Sequence, residues 1–319
     1  MSKQTPPLSQ NISRRTFFRG IGGFIAKHWL LSTLPIGGVG VLGWAKHDTL
    51  ALKREHWDLS YPNLPAALDG KTICQLSDLH LETLQIPPQR IVQDVMAQKP
   101  DLLVVTGDII SDRMDLDKLN SYLSGLTAPY GKFVVMGNND YSHLSRTLFK
   151  RYLKQFQSLG WTTLLNDAAY LSSLNLWVIG VDDPATAHDD VDRAYQKVSS
   201  AHTTSSLIPT FTSPFRLVLA HSTDCLDDVA RNGAELLLTG HTHGGQIRLP
   251  GLQPLITNTY LGDRGFYEGY HIIDGIPLYI NRGLGESVIP LRLNVPPEVA
   301  FFTLHRGVEA PKHQTTQLK

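Results

Sequence analysis

Cysteine is scarce in this chain of 319 residues, and charge of either sign is balanced. The two cysteines, Cys74 and Cys225, are too few for a disulfide framework, and we do not expect them to be bonded to each other. Lysine plus arginine equals aspartate plus glutamate at 29 each, so no net field favours nucleic acid, and no nucleic-acid binding is expected. A chain of this length buries a sizeable core without such covalent links.

The N-terminus carries a pattern typical of targeting segments. Arg14 and Arg15 precede an apolar, glycine-rich stretch from Gly20 to Trp44, which resembles a twin-arginine export signal. Its uninterrupted part, Trp29 to Ala45, is near the lower limit of about 17 residues for a spanning helix. We therefore predict a twin-arginine signal or membrane anchor over residues 1–45. A plain anchor is the alternative, and cleavage after Ala45 is open.

This signal predicts where the protein works and what it meets there. We expect the chain to engage the twin-arginine export machinery and to contact a membrane at its N-terminus. The predicted location is exported or membrane-anchored, with the extracytoplasmic face favoured.

From about residue 56 onward, short apolar runs alternate with amphipathic segments. This alternation predicts βαβ units, and the strand-rich second half predicts a mixed sheet, so the fold class is α/β. We predict one domain over residues 56–306, with a strand at Gln246–Leu249 among its later elements. The polar residues 307–319 are expected to form a loose C-terminal tail.

Polar side chains follow five of the apolar runs, at the point where each predicted strand ends. Ligands of open α/β sheets bind outside the carboxyl ends of the strands, so we expect these side chains to converge on one pocket. The candidate metal ligands are Asp78, His80, Asp108, Asn138, His221, His241 and His243.

This set contains imidazole, carboxylate and amide groups but no thiolate, which suits Mn, Fe or Zn. Seven ligands are too many for one tetrahedral ion and fit two divalent ions that share a bridging carboxylate. Strand-like alternation would point Asp78 and His80 to the same side, and likewise His241 and His243. Gly107 and Gly137 would keep side-chain bulk away from the metals.

The five blocks together resemble the calcineurin-like metallophosphoesterase superfamily, over roughly residues 70–305. The matching motifs are Asp78-x-His80, Gly107-Asp108, Gly137-Asn138-Asn139-Asp140, His221 and Gly240-His241-x-His243. The resemblance implies a four-layer α/β/β/α sandwich. The segment from Asn281 to Gly285, together with the twin-arginine start, is similar to the membrane-associated bacterial branch of that superfamily.

The resemblance also implies roles for the site residues. The first metal would be held by Asp78, His80 and His243, the second by Asn138, His221 and His241, and Asp108 would bridge them. A metal-bound hydroxide would attack phosphorus in a phosphoester or pyrophosphate bond. We predict catalytic roles for Asp108, Asn139 and Asp140.

The family pattern usually has histidine where this chain has Asn139. That histidine is thought to protonate the leaving group, and a neutral amide cannot act as a general acid. Related enzymes that cleave the pyrophosphate of UDP-2,3-diacylglucosamine also lack this histidine, so a lipid-linked phosphoester substrate is one alternative. His143 is a further candidate proton donor. A metal-binding scaffold without catalysis is the other alternative.

Overall fold

A computed structural model describes residues 35–111, 115–142, 144–204, 213–254, 256–287 and 289–318. The predicted signal is therefore described only from residue 35, and Arg14, Arg15 and His143 lie outside these ranges. Within them the chain forms two β-sheets and the helices that cover them.

Seven strands form the first sheet, in the order β13-β1-β12-β2-β3-β4-β5. Strands β2, β3 and β4 are parallel neighbours at its centre, and β3 is buried along its whole length, as the apolar run Leu102–Val105 predicts for a covered parallel strand. The strands are β1 (Lys53–Tyr61), β2 (Thr72–Leu76), β3 (Leu102–Thr106), β4 (Lys132–Val135), β5 (Thr162–Thr163), β12 (Glu298–Arg306) and β13 (Lys312–Gln317).

Six strands form the second sheet, in the order β10-β11-β9-β8-β7-β6. Its central strands β7, β8, β9 and β11 are parallel, while β6 and β10 are antiparallel edges. The strands are β6 (Asp167–Leu171), β7 (Leu176–Gly180), β8 (Phe215–Leu219), β9 (Leu236–Thr239), β10 (Gly269–Ile273) and β11 (Ile276–Ile280).

Helices follow most of the strands, and several begin at caps that the sequence supplies. Asp115 accepts a hydrogen bond from the Lys118 amide at 2.9 Å, and Ser145 accepts one from the Leu148 amide at 3.3 Å. The helices are α1 (Pro35–Leu50), α2 (Pro88–Ala97), α3 (Leu116–Leu123), α4 (Asn138–Ser142), α5 (Arg146–Ser158), α6 (Val191–Thr204), α7 (Leu226–Asn232) and α8 (Tyr260–Asp263).

Three separate apolar cores show how these elements stack. One lies between the first sheet and α2, α3 and α5, and includes Val105 and Phe156. The second lies between the two sheets and includes Val104 and Leu238, and the third lies between the second sheet and α6 and α7. Helices, sheet, sheet and helices thus form four layers, which confirms the predicted α/β class and the sandwich.

The carboxyl ends of the parallel strands meet at one edge of this sandwich. Strands β2, β3 and β4 arrive there from the first sheet, and β8 and β9 arrive from the second. The sheets are joined beneath this edge by Gln75, whose side-chain amide donates to the Thr239 carbonyl at 3.0 Å and to Thr106 Oγ1 at 2.9 Å.

The C-terminal tail differs from its prediction. Lys312–Gln317 is the edge strand β13, paired antiparallel with β1 from Lys53 to Asp58. Its residues are polar because an edge strand faces solvent, so composition alone reads as a loose tail. Strand β1 itself begins at Lys53, three residues before the predicted domain boundary.

The strand predicted at Gln246–Leu249 was also wrong. In this segment only a single bridge forms, between Ile247 and Leu293. Gln246 has a φ of 51°, a left-handed conformation that ends extended backbone.

Helix α1 precedes the sandwich and packs against it near its C-terminal end. Ala45, Asp48 and Thr49 are buried, whereas residues 40–44 are exposed. None of the helices described in this structure is both long and apolar enough to cross a membrane.

Candidate metal centre

Six of the seven predicted ligands lie together at the carboxyl edge of the two sheets. They lie in the loops that follow β2, β3, β8 and β9, as the positions of the motifs predict. The six are buried and form two groups, and within each group the ligand atoms lie within 4.8 Å of one another; the groups are Asp78, His80 and His243, and Asp108, His221 and His241.

Asp108 contacts both groups. Its Oδ2 atom lies 3.3 Å from His221 Nε2 in its own group and 3.6 Å from His80 Nε2 in the other. One carboxylate within reach of both clusters is the arrangement that a bridging ligand requires.

Asn138, the seventh predicted ligand, follows β4 and begins α4. Its Oδ1 atom is buried, and among the described residues it has no hydrogen-bond partner. A buried acceptor without a donor is costly, and a cation would satisfy it. The donor set and this oxygen together fit divalent metal ions.

The backbone at these ligands is unusual. Five of the six grouped residues have positive φ angles, which are uncommon for residues other than glycine; they are Asp78 at 47°, His80 at 40°, Asp108 at 51°, His241 at 70° and His243 at 52°. Each left-handed residue costs roughly 1–2 kcal/mol. Such conformations concentrate at functional sites because the surrounding structure enforces them.

These angles also correct the predicted strand-like alternation. Asp78 and His80 lie beyond the end of β2, and His241 and His243 lie beyond the end of β9. Left-handed turns, rather than a pleated strand, direct each pair of side chains to the site. Leu79, between the first pair, points into the apolar core.

Two of the imidazole rings are oriented by a polar partner on Nδ1, the nitrogen that does not face the ligand group. His80 Nδ1 lies 3.0 Å from Ser111 Oγ, and His221 Nδ1 lies 2.8 Å from the Thr106 carbonyl oxygen. Both contacts leave Nε2 facing the ligand group, as is typical of metal-binding histidines. His241 differs, since its Nδ1 atom lies 3.0 Å from His221 Nε2 and faces the site.

Two glycines allow the loops to approach the ligands. A Cβ atom on Gly137 would lie 2.4 Å from Asp108 Oδ1, and one on Gly107 would lie 2.7 Å from His221 Nδ1. Any other residue would displace the ligand, so the predicted role of both glycines agrees with the structure.

The pKa values of the two carboxyl groups in the site are shifted in opposite directions. Burial raises the pKa of Asp78. Burial also tends to raise the pKa of Asp108, but the charge of His221 and its hydrogen bond, together with His80, hold it well below its usual range. Asp108 is thus anionic, which suits a ligand shared by two cations.

The histidines differ from one another. Burial lowers the pKa values of His80, His241 and His243, so these rings are neutral and have a lone pair available. Burial opposes the charge on His221 as well, but Asp108 outweighs it and raises the His221 pKa well above its ordinary value. A metal at this position would replace the His221 proton.

Asn139, predicted as a catalytic residue, is bound to Asp108. Its backbone amide donates to Asp108 Oδ1 at 2.8 Å, and its side-chain amide donates to Oδ2 at 2.6 Å. The neutral side chain therefore orients the carboxylate and offers no acidic proton.

The hydrogen bonds of Asp140 favour a role in positioning the neighbouring loops over a catalytic role. Its two oxygens accept from the amides of Ile109, Ile110 and Gly137 and from the Tyr152 hydroxyl, at 2.9 to 3.3 Å. Burial, followed by the Asp108 charge, raises its pKa to about 7. Asp140 thus joins the loops after β3 and β4, which carry Asp108 and Asn138.

Sequence reasoning missed two buried residues near the site. Arg292 is fully buried, and one of its terminal nitrogens lies 3.4 Å from His243 Nδ1. Asp183 is also fully buried, and its Oδ1 atom has no hydrogen-bond partner among the described residues. Neither lies in one of the motifs that predicted the site. Their burial, which is rare for charged residues, is visible only in the structure.

Comparisons with known proteins agree with this site. The calcineurin-like phosphoesterase family matches residues 71–245, which include all seven predicted ligands. The metallophosphoesterase YkuE of Bacillus subtilis (strain 168) is 30% identical over 92% of this chain and 98% of its own length.

Two further relatives have names that describe an activity. The UDP-2,3-diacylglucosamine pyrophosphatase LpxG of Chlamydia trachomatis is 26% identical, over 85% of this chain and 95% of its own. The phosphodiesterase YaeI of Escherichia coli (strain K12) is 30% identical, over 72% of this chain and 80% of its own. Because the family match covers more than half of the sequence and extends across the ligand loops, this chain belongs to the calcineurin-like phosphoesterase family.

Proposed function

We propose that the protein is a hydrolase of phosphoester or pyrophosphate bonds that works with two divalent metal ions. The observation that carries this proposal is the position of Asp108 Oδ2, 3.3 Å from His221 in one ligand group and 3.6 Å from His80 in the other. Mn, Fe and Zn all suit the donor set.

When bound, the two ions would supply Lewis acidity to a phosphoryl group and to both the attacking and leaving oxygens. The residues of the chain have complementary tasks. Asp78, His80 and His243 would hold one ion, and Asn138, His221 and His241 the other, with Asp108 between them. Asn139 keeps Asp108 in orientation through two hydrogen bonds.

The absence of an acid at position 139 limits the substrate class. The leaving oxygen must depart with its negative charge, since the Asn139 amide has no proton to give it. This requirement favours good leaving groups, such as a nucleotide phosphate, a phenolate or a pyrophosphate, over simple alcohols.

A lipid-linked pyrophosphate is the second candidate substrate. Its support is the similarity to LpxG, whose name describes cleavage of UDP-2,3-diacylglucosamine, over 85% of this chain. The side chains of Leu252 and Tyr260, in the segment that follows the His243 loop, are exposed and offer apolar surface.

Turnover of bis-p-nitrophenyl phosphate tests the hydrolase directly. Purified protein should release p-nitrophenol with added Mn(II), lose this activity on chelation and regain it when Mn(II) is returned. The variant Asp108→Ala is the control for contaminating phosphatase. If wild type is no faster than this variant on phosphomonoesters, phosphodiesters and pyrophosphates with several metals, the chain is a metal-binding scaffold instead.

We also propose that the N-terminal segment holds the protein at a membrane after twin-arginine export. Apolar side chains in the middle of α1 are exposed: Val41 by 45%, Leu42 by 60% and Trp44 by 46%. A helical segment that exposes apolar groups in successive positions suits lipid better than water. The apolar sequence before it, Trp29 to Leu34, continues the same character.

Cell fractionation and vesicle flotation separate these two steps. The double variant Arg14→Lys/Arg15→Lys should stay in the cytoplasm while its sandwich domain folds. The double variant Leu42→Ser/Trp44→Ser should be exported but should bind lipid vesicles more weakly. Unchanged export of the arginine variant would point to a plain anchor, and unchanged vesicle binding would exclude α1 as a lipid contact.

A further inference from the structure

A buried arginine lies directly behind the first group of metal ligands. Arg292 has no exposed surface, and its Nη2 atom is 3.4 Å from Nδ1 of His243. A fully buried guanidinium is rare and needs partners for its donors.

Backbone carbonyls provide those partners. One terminal nitrogen of Arg292 donates to the carbonyl oxygens of Arg282 at 3.0 Å and Val295 at 3.3 Å, and the other donates to the Gly285 carbonyl. Arg282 and Gly285 bracket the short segment that follows β11. Arg292 therefore clamps the segment 282–285 from both ends.

The clamped segment supports the other side of the first ligand group. The Leu284 amide donates to the Ser77 carbonyl at 3.0 Å, and the Gly285 amide donates to the Asp78 carbonyl at 2.8 Å. Gly283 packs so closely that a Cβ atom there would lie 2.6 Å from Asp78 Cβ. Arg292 thus contacts His243 directly and supports Asp78 indirectly, through the backbone of residues 282–285.

The contact with His243 differs from the partners of the other histidines. His243 Nε2 faces its group, 3.0 Å from His80 Nε2 and 3.4 Å from Asp78 Oδ1, so a metal would bind at Nε2 and leave the proton on Nδ1. A guanidinium accepts no hydrogen bond. Arg292 therefore makes no hydrogen bond with a protonated Nδ1 and limits the movement of the ring by steric contact, whereas His221 donates to a carbonyl.

A buried carboxyl group lies beside the guanidinium. Glu286 is fully buried, and its Oε1 atom lies 4.0 Å from Arg292 Nε. Where Glu286 is ionised, removing one member of the pair would leave the other charge buried and unpaired, so the test changes both side chains together.

We propose that Arg292 is a positioning residue for the first metal site, where it sets the place of His243 and of the Asp78 backbone. This inference rests on the proposed two-metal function. The second group depends on other contacts, among them the Thr106 carbonyl at His221 and Asn139 at Asp108. Loss of Arg292 should therefore weaken one metal and spare the other.

The test uses the full chain with both charges removed, Arg292→Met/Glu286→Gln, in parallel with wild type. Metal-free protein is titrated with Mn(II), and bound equivalents are measured together with the electron paramagnetic resonance spectrum. Wild type should bind two equivalents with the spectrum of a coupled pair. The variant should keep one tight equivalent, bind the other about 10–100-fold more weakly, and show a single-ion spectrum.

A matched control removes the ion pair between Arg216 and Glu235, which join β8 and β9 at the start of each strand. Arg216→Met/Glu235→Gln should bind both ions like wild type. If the Arg292 double variant fails to fold, Arg292→Lys keeps the charge but cannot reach all three carbonyls, and the same selective loss is expected.

Two results would overturn the inference. Two equivalents at wild-type affinity in a folded Arg292 variant would make Arg292 a packing residue only. Equal loss of both ions in a folded variant would show that it acts on the whole centre. A wild type that binds one equivalent in excess metal would overturn the two-metal function itself, a result that is recognisable without any variant.

Discussion

At the scale of single residues, Asn139 distinguishes this chain from the pattern its family usually shows. The structure places its amide 2.6 Å from Asp108 Oδ2, so the side chain belongs to the metal centre although it cannot donate an acidic proton. The identity of such residues was predictable, because their motifs follow strand ends. Their partners were not, because hydrogen bonds between distant loops leave no local pattern.

Restoring histidine should change the dependence on the leaving group. For substituted phenyl phosphodiesters, wild-type rates should fall steeply as the pKa of the leaving phenol rises. Asn139→His should flatten this slope and accelerate poor leaving groups by ~10-fold or more, since a positioned acid can protonate the departing oxygen. Equal slopes would mean that position 139 has no part in protonation.

At the scale of elements, the sequence predicted the strands with apolar runs and missed the two polar strands β1 and β13. β2 and β3 were clear from their apolar runs, whereas β1 and β13 were not predicted. Strand β1 contains Lys53, Arg54, Glu55 and Asp58, and its ladder is held by partners more than 240 residues away. The strand propensities of single residues do not indicate pairing between segments so far apart in the sequence.

Strand β13 should contribute to stability through a buried carboxylate. Thr315 Oγ1 and His313 Nε2 both contact Glu55 Oε2, and Glu55 is also paired with the partly buried Arg282. Thr315→Val should lower the free energy of unfolding by about 1–3 kcal/mol, because a buried acceptor loses a donor. Urea unfolding is the measurement.

The neighbouring residue offers a control on the same strand. Thr316 lies on the opposite face of β13, so Thr316→Val makes the same chemical change away from Glu55. A loss of equal size in both variants would show that strand propensity, and not the contact with Glu55, is responsible.

At the scale of the whole molecule, the sandwich brings the ends of five strands from two sheets to one edge. The βαβ alternation predicted the α/β class, but the stacking of two sheets came from the family resemblance. Sequence periodicity shows which faces are apolar but not which sheet covers them. The strain at the site is balanced by the packing of the whole molecule, because the three apolar cores must hold five ligands in left-handed conformations.

Stability should depend on pH through the buried Glu286. Burial raises its pKa to about 7, against an opposing effect of Arg292, so the folded state holds this proton where the unfolded chain has released it. Its contribution to stability is complete below the ordinary pKa of 4.5 and is lost as the pH rises to about 7. The change is at most about 1.4 kcal/mol per pH unit.

A comparison of variants isolates this effect. The stability of wild type relative to Glu286→Gln should decrease between pH 5 and 7, since glutamine cannot titrate and other groups cancel. Urea unfolding at several pH values measures the difference. A constant difference over this range would contradict the assignment.

The central claim, two metal ions sharing Asp108, is tested most directly by metal content. Elemental analysis of wild type purified with Mn or Fe should approach two equivalents per chain, and Asp108→Ala should lose both, because a shared carboxylate supports each ion. One equivalent or fewer in wild type, with metal in excess and all seven ligand positions intact, would contradict the account.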